Sequence, residues 1–205
     1  LIIFKHFTMQ IDLDLLFSWG AITKKYNKNE VIFSEEEDAH FYYQIIEGSI
    51  KMFTTNDEGK ELTQGVFSNG ESFGEPPLFI NKPYPSKAIT VNNCILVKLS
   101  KDKFLKIIEE YPLIQRSFLN LMASKILRKT RNTIDIINQK PEFRIIAFLN
   151  NFKENSECGA IKTIVPFTRQ EIANFTGLRV ETVIRVMTKM KQLKKIEIIN
   201  HKIYY

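Results

Sequence analysis

Between Ala21 and Ser100, short apolar runs alternate with turn residues, the spacing of an antiparallel sandwich, barrel or roll. Five of the eight glycines, Gly48, Gly59, Gly65, Gly70 and Gly74, fall in this stretch. Residues 45–53 form two apolar runs around Gly48, and residues 56–60 make the next connection, so consecutive strands are expected to pair antiparallel. A short amphipathic helix over 11–19 precedes them. After Ser100, placed to cap a helix reaching about Glu110, the period changes from two to about 3.6. Pro112 then opens a helix free of Gly and Pro as far as about Asn138, well beyond the usual three or four turns.

That long helix carries two apolar stripes. Ala123, Leu127, Thr130, Ile134 and Ile137 follow a 4-3-4-3 spacing, and Leu119, Met122 and Ile126 run beside them. Two stripes allow one to pack on the strand domain while the first meets a partner helix in a homodimer. The alternative is a single wide stripe buried within a monomer. Pro141 starts a further helix to about Phe152, followed by a polar loop and a short strand over 163–165.

Thr168-Arg169-Gln170-Glu171 is a capping box, so a helix begins at Arg169. Ile172 and Phe175 give it an apolar face, Ala173 is small enough for a close helix crossing, and Gly177 suits the tight turn that follows. Leu178, Val183, Val186 and Met190 form the buried stripe of the next helix. Its opposite ridge carries Glu181, Thr182, Arg185 and Lys189, side chains suited to major-groove reading: Arg forks onto guanine, and Glu accepts from the cytosine amino group. Lys194 and Lys195 then lead into two short apolar strands across Asn200, the pattern of a β-hairpin wing.

Charge sharpens this reading. The chain of 205 residues has a net charge of +6. Residues 1–139 hold 17 Lys and Arg against 17 Asp and Glu, while residues 140–205 hold 12 against 6. The excess lies entirely in the helical C-terminal third, the footprint of a module that binds a polyanion. Cys94 and Cys158 are far apart, and His6, His40 and His201 are scattered, so neither a disulfide framework nor a metal site is expected. No apolar run is long enough to cross a bilayer, and a cytoplasmic location is expected.

Two blocks resemble the Crp-Fnr superfamily of bacterial regulators, and the resemblance runs from about Ile11 to Tyr205. Residues 70–79, GESFGEPPLF, are similar to that family's phosphate-binding cassette. Residues 168–173, TRQEIA, with residues 180–185, VETVIR, are similar to its helix-turn-helix, the more specific of the two. The resemblance implies an α+β protein: an N-terminal antiparallel, jelly-roll-like β-roll acting as effector domain over 1–111, a long dimerisation helix over 112–139, and a C-terminal winged helix-turn-helix over 140–205. It implies double-stranded promoter DNA, a second copy of the chain and RNA polymerase as partners, with no membrane and no catalysis. The implied DNA-facing residues are Arg169, Val180, Glu181, Thr182, Arg185 and Lys189. Val180, apolar where the cyclic-AMP-dependent branch has Arg, points to a thymine contact and a TTGA-like half-site.

The implied effector pocket comprises Gly74, Glu75, Pro85, Ser86, Lys129 and Thr130. Pro85 departs from the Arg that clamps the cyclic phosphate, a contact worth about 1.5 to 3 kcal/mol. Lys129-Thr130 keeps only half of the Thr-Ser pair that touches the base. The effector is therefore unassigned, and cyclic AMP is not expected. Glu75 is equally a candidate cap for the short helix after it. The cysteine count excludes an oxygen-sensing cluster, and nothing supports haem.

Three other functions compete. A cupin enzyme needs a cluster of metal ligands, but His40 is the only histidine between Ala21 and Ser100. A cyclic-nucleotide-binding regulatory module acting on protein partners would need no basic recognition helix. A membrane binder would line one helix with its basic residues, whereas here they alternate with core positions.

Overall fold

The computed structural model describes residues 9–137, 140–154, 163–200 and 202–205. Cys158, His6 and His201 lie outside that set, as do the side chains of Ile134 and Ile137. The chain divides into two compact units. One contains the described residues up to Thr54 and those from Thr63 to Ser124; the other contains Thr55–Leu62 and Lys125–Tyr205. The cut falls inside the long helix, between Ser124 and Lys125, so its two halves belong to different units.

The first unit opens with helix α1 (Leu13–Ser18), whose N-cap Asp12 accepts from the Leu15 amide. Eight strands follow: β1 (Ile22–Tyr26), β2 (Val31–Phe33), β3 (Phe41–Glu47), β4 (Ile50–Thr55), β5 (Glu61–Phe67), β6 (Ser72–Phe73), β7 (Lys87–Thr90) and β8 (Cys94–Ser100), with helix α2 (Pro76–Ile80) between β6 and β7. They form two four-stranded sheets, ordered β1-β8-β3-β6 and β2-β7-β4-β5. This is the expected antiparallel roll, with one correction to its pairing. β3 and β4, read from the sequence as an antiparallel pair around Gly48, lie in different sheets. Gly48 is a corner that hands the chain across the roll, at φ +102°. Its amide donates to Asn69 Oδ1 at 2.9 Å, and the Ser49 amide donates to Asn92 Oδ1 at 2.9 Å. The next connection behaves as expected: β4 and β5 are bonded neighbours, and Gly59 donates to the Asn56 carbonyl at 2.8 Å.

β3 is buried along most of its length because both faces of its sheet are covered. On the outer face, Tyr42 stacks at 4.5 Å on Phe104 of helix α3 (Lys101–Glu110) and meets Phe118 of helix α4 (Pro112–Ile137) edge-on. On the inner face, Tyr43 stacks on Phe73. Ser100 is the N-cap of α3, as expected, but its hydroxyl makes no cap bond. The residue ahead of the α1 cap, Ile11, is pinned by Gln44, which is fully buried. Its amide nitrogen donates to the Ile11 carbonyl at 2.8 Å, and its carbonyl accepts from the Ile11 amide at 2.9 Å.

The stripe of α4 that packs on the roll is Ile114, Phe118, Leu121 and Met122. This corrects the second stripe read from the sequence: Met122 belongs to the packed face, but Leu119 and Ile126 are exposed. Ala123, Leu127 and Thr130 are exposed as well.

The second unit contains α5 (Pro141–Glu154), β9 (Ile164–Val165), α6 (Arg169–Thr176), α7 (Val180–Gln192), β10 (Glu197–Ile199) and β11 (Lys202–Tyr204). β10 and β11 form an antiparallel hairpin in register Glu197↔Tyr204 to Ile199↔Lys202, with β9 beside β11. Its core gathers Ile145 and Leu149 of α5, Val165, Ile172 and Ala173 of α6, Val183, Met187 and Met190 of α7, and Ile196 and Ile203 of the hairpin.

Candidate nucleic-acid interface

Three local devices hold α7 in place. The capping box at the start of α6 is complete: Thr168 Oγ1 accepts from the Glu171 amide at 3.2 Å, and Glu171 Oε2 accepts from the Thr168 amide at 2.7 Å. Such a cap stabilises a helix by about 1 kcal/mol. Gly177 ends α6 at φ +67°, a left-handed conformation that glycine adopts without penalty. Ala173, buried where α6 meets α7, leaves room for the crossing, and its carbonyl accepts from the Leu178 amide at 3.1 Å.

With Val183, Met187 and Met190 buried on one side, the other side of α7 exposes Glu181, Ile184, Arg185, Thr188 and Lys189. Glu181 and Arg185 stand one turn apart. Of the other residues expected to face DNA, Thr182, Arg169 and Val180 are half-buried, and Val180 packs against the core. Leu178 and Val186, expected in the buried stripe, lie at its margin, and Met187 takes a central place. Lys189 pairs with Glu142 of α5 at 3.7 Å, and Lys195 reaches the same carboxylate at 3.4 Å. Exposed pairs of this kind contribute at most about 1 kcal/mol, so a phosphate can compete for either ammonium. The role of Glu142 had no signal in the sequence, because it depends on two lysines more than forty positions away.

The effector cassette belongs to the first unit. Gly74 has φ +74°, and a β-carbon there would lie 3.0 Å from Phe33 and 3.2 Å from Tyr84. The rings of Phe33 and Tyr84 stack at 3.6 Å, and both are buried. Glu75 stands at the N-cap of α2, yet its side chain makes no cap bond, which corrects the capping alternative. Its carboxylate is fully buried and accepts a short hydrogen bond from the Ser72 hydroxyl. Ser86 is buried, whereas Pro85 points to solvent. Lys129 and Thr130 lie in the second unit, both exposed, and Thr130 Oγ1 donates to the Ile126 carbonyl at 3.1 Å.

Burial pushes the Tyr42 hydroxyl well above its ordinary range, with the nearby Glu75 charge adding to the effect. Burial also raises Tyr43 and Tyr84. At Gly74 the cassette is packed by two of the buried aromatic rings, Phe33 and Tyr84. Phe33, Tyr84 and Gln44 escaped the sequence reading because Phe33 and Gln44 look like ordinary strand residues, and Tyr84 like a loop residue between two prolines, until the sheets are folded together. Among the described residues, no group of three or more His, Cys, Asp or Glu is placed to hold a metal, and no helix is long and apolar enough to cross a membrane.

The chain thus carries a winged helix-turn-helix beside a β-roll, and the comparisons agree with that pairing. Residues 23–111 match the family model of the cyclic nucleotide-binding domain, and residues 143–204 match that of the Crp-like helix-turn-helix domain. The transcriptional activatory protein AadR of Rhodopseudomonas palustris is 28% identical over 179 residues, covering 85% of this chain and 73% of that protein. The CRP-like cAMP-activated global transcriptional regulator of Mycobacterium tuberculosis is 26% identical over 172 residues, covering 80% and 77%. The solved structure of the c-di-GMP responsive global regulator CLP of Xanthomonas campestris superposes with a TM-score of 0.81 at 22% identity, covering 93% of this chain and 96% of that one. The chain belongs to the Crp-Fnr family of transcription regulators. It is a DNA-binding regulator and not an enzyme.

Proposed function

We propose that this chain acts in the cytoplasm as a homodimer that reads a palindromic, TTGA-like site in promoter DNA and works there with RNA polymerase. The observation that carries this reading is the ridge of α7, on which Glu181 and Arg185 are exposed one turn apart above a fully packed opposite face. Arg185 forks onto guanine O6 and N7, and Glu181 accepts from the amino group of the paired cytosine. The exposed stripe of α4 that includes Ala123, Leu127 and Thr130 supports a second copy as the partner, and in the sequence the same 4-3-4-3 spacing runs on to Ile134 and Ile137. Two copies place their helices in grooves about one helical turn apart. A module acting on protein partners alone would have no use for this ridge.

Selection from a random duplex library should return a palindrome with one G·C pair in each half-site. Arg185→Ala should weaken binding by about 1 to 3 kcal/mol and relax preference at that pair alone. A motif without guanine, or one unchanged by Arg185→Ala, would sink the assignment.

The roll does not answer to cyclic AMP in this reading. At Gly74 the neighbouring space is taken by Phe33 and Tyr84, Glu75 is engaged by Ser72, and the exposed Pro85 has no charge to offer a phosphate. Calorimetry at millimolar cyclic AMP should show no heat beyond dilution. Micromolar binding, with tighter operator affinity, would overturn this part of the proposal.

A further inference from the structure

We propose that Ile184 is a specificity-determining residue of α7 that reads the methyl group of a thymine beside the G·C pair addressed by Glu181 and Arg185. The inference deepens the DNA-reading function proposed above and rests on it. Ile184 is 48% exposed, although it lies in the middle of a helix whose apolar side chains Val183, Met187 and Met190 are buried and whose Val180 and Val186 are half-buried against the core. It lies three residues after Glu181 and one before Arg185, so it shares their ridge and flanks their contact.

Val180, which the sequence pattern suggested for this task, is half-buried and committed to the core. That leaves Ile184 as the apolar group on the ridge. The hydroxyl of Thr188, the next residue along this ridge, donates to the Ile184 carbonyl at 2.9 Å, so the polar neighbour is occupied with the helix backbone. Isolated exposed apolar residues are common on protein surfaces, and exposure alone would prove nothing. The weight comes from the place, because the thymine C5-methyl is the apolar group that base edges present in the major groove. A β-branched side chain on a helix is also nearly fixed at χ1, so Ile184 brings its methyl groups to the base with little ordering cost. A cytosine at that position would instead leave its amino group facing hydrocarbon, without a hydrogen-bond partner.

The test uses the full chain and the palindrome obtained by selection, with each thymine of one half-site replaced in turn by deoxyuridine, which removes the methyl group and nothing else. Fluorescence anisotropy should show binding weakened about four-fold at one of these positions, as expected for one buried methyl. Ile184→Ala should bind more weakly than the parent and be indifferent to that replacement, while keeping its dependence on guanine. A parent protein indifferent to every deoxyuridine, or an Ile184→Ala variant that keeps the same penalty, would overturn the inference and leave the reading of the G·C pair standing. A selection that returns no guanine-containing palindrome would bring down the DNA assignment first and this inference with it.

Discussion

Leu127→Asp is expected to convert the protein to monomers and to abolish tight binding to its palindrome. Leu127 is 64% exposed on α4, so its replacement empties no core and the chain should fold, as far-ultraviolet circular dichroism would show. In the proposed dimer the same side chain faces its counterpart across an apolar seam, and two unpaired carboxylates there cost several times what the lost packing costs. Once the copies separate, each helix-turn-helix meets one half-site unaided. Linking two modules raises affinity by roughly a hundred- to ten-thousand-fold, and that factor is what should disappear. Sedimentation would read the first effect and operator titration the second. A variant that remains dimeric would move the seam to the neighbouring exposed residues, Leu119 and Ile126.

The second large effect is expected at Gly48. A β-carbon there would lie 2.4 Å from Cys94 Sγ and 2.7 Å from the Asn93 carbonyl, on a residue held at φ +102°. Gly48→Ala therefore combines a backbone conformation that L residues rarely adopt with a clash against main chain, which cannot rotate away. Together these should destabilise the roll by about 3 to 5 kcal/mol, read as a lower midpoint in urea. Adding Cys94→Ala removes the sulfur and should recover only part of the loss, because the carbonyl and the strained φ remain. A shift below about 1 kcal/mol for the single variant would show that the corner has room to give.

Gly48 also marks where the sequence stopped being informative. A glycine between two apolar runs signals a turn, and the turn is there. The residues cannot say whether the two runs then bond to each other or diverge into separate sheets. That choice is made by Asn69 and Asn92, which hold the corner from distant parts of the chain. β3 posed a related difficulty: a strand covered on both faces shows no alternation, so nothing in residues 41–47 reveals that Tyr42 faces Phe104 while Tyr43 faces Phe73.

The helix-turn-helix was far more legible, since its devices are local. Thr168 and Glu171 lie three residues apart, Gly177 follows at the end of the same short helix, and periodicity separates the core face of α7 from its ridge. What the periodicity missed was the assignment of individual apolar positions near the border. Val180, read from the sequence as a DNA-facing residue, packs against the core in the fold, while Ile184, assigned to neither face by the sequence, is exposed. The effector cassette was legible as a motif but not as an environment, because Phe33 and Tyr84 come from outside it.

The order of strands in the roll has a further consequence, for the way the protein is made. Among the described strands, β1 bonds to β8 alone, from Ile22↔Lys98 to Tyr26↔Cys94, and β2 to β7 alone. The first strands of the roll to leave the ribosome thus find their partners among its last. Pairings so remote in sequence make folding slow, because a long loop must close before any contact rewards it. A nascent chain that ends before Cys94 lacks the central partner of one sheet, and its first strands wait with open edges and exposed apolar side chains. Synthesis through Ser100 is therefore the point at which the roll can close as a unit, and before it those edges are open to pairing with a neighbour.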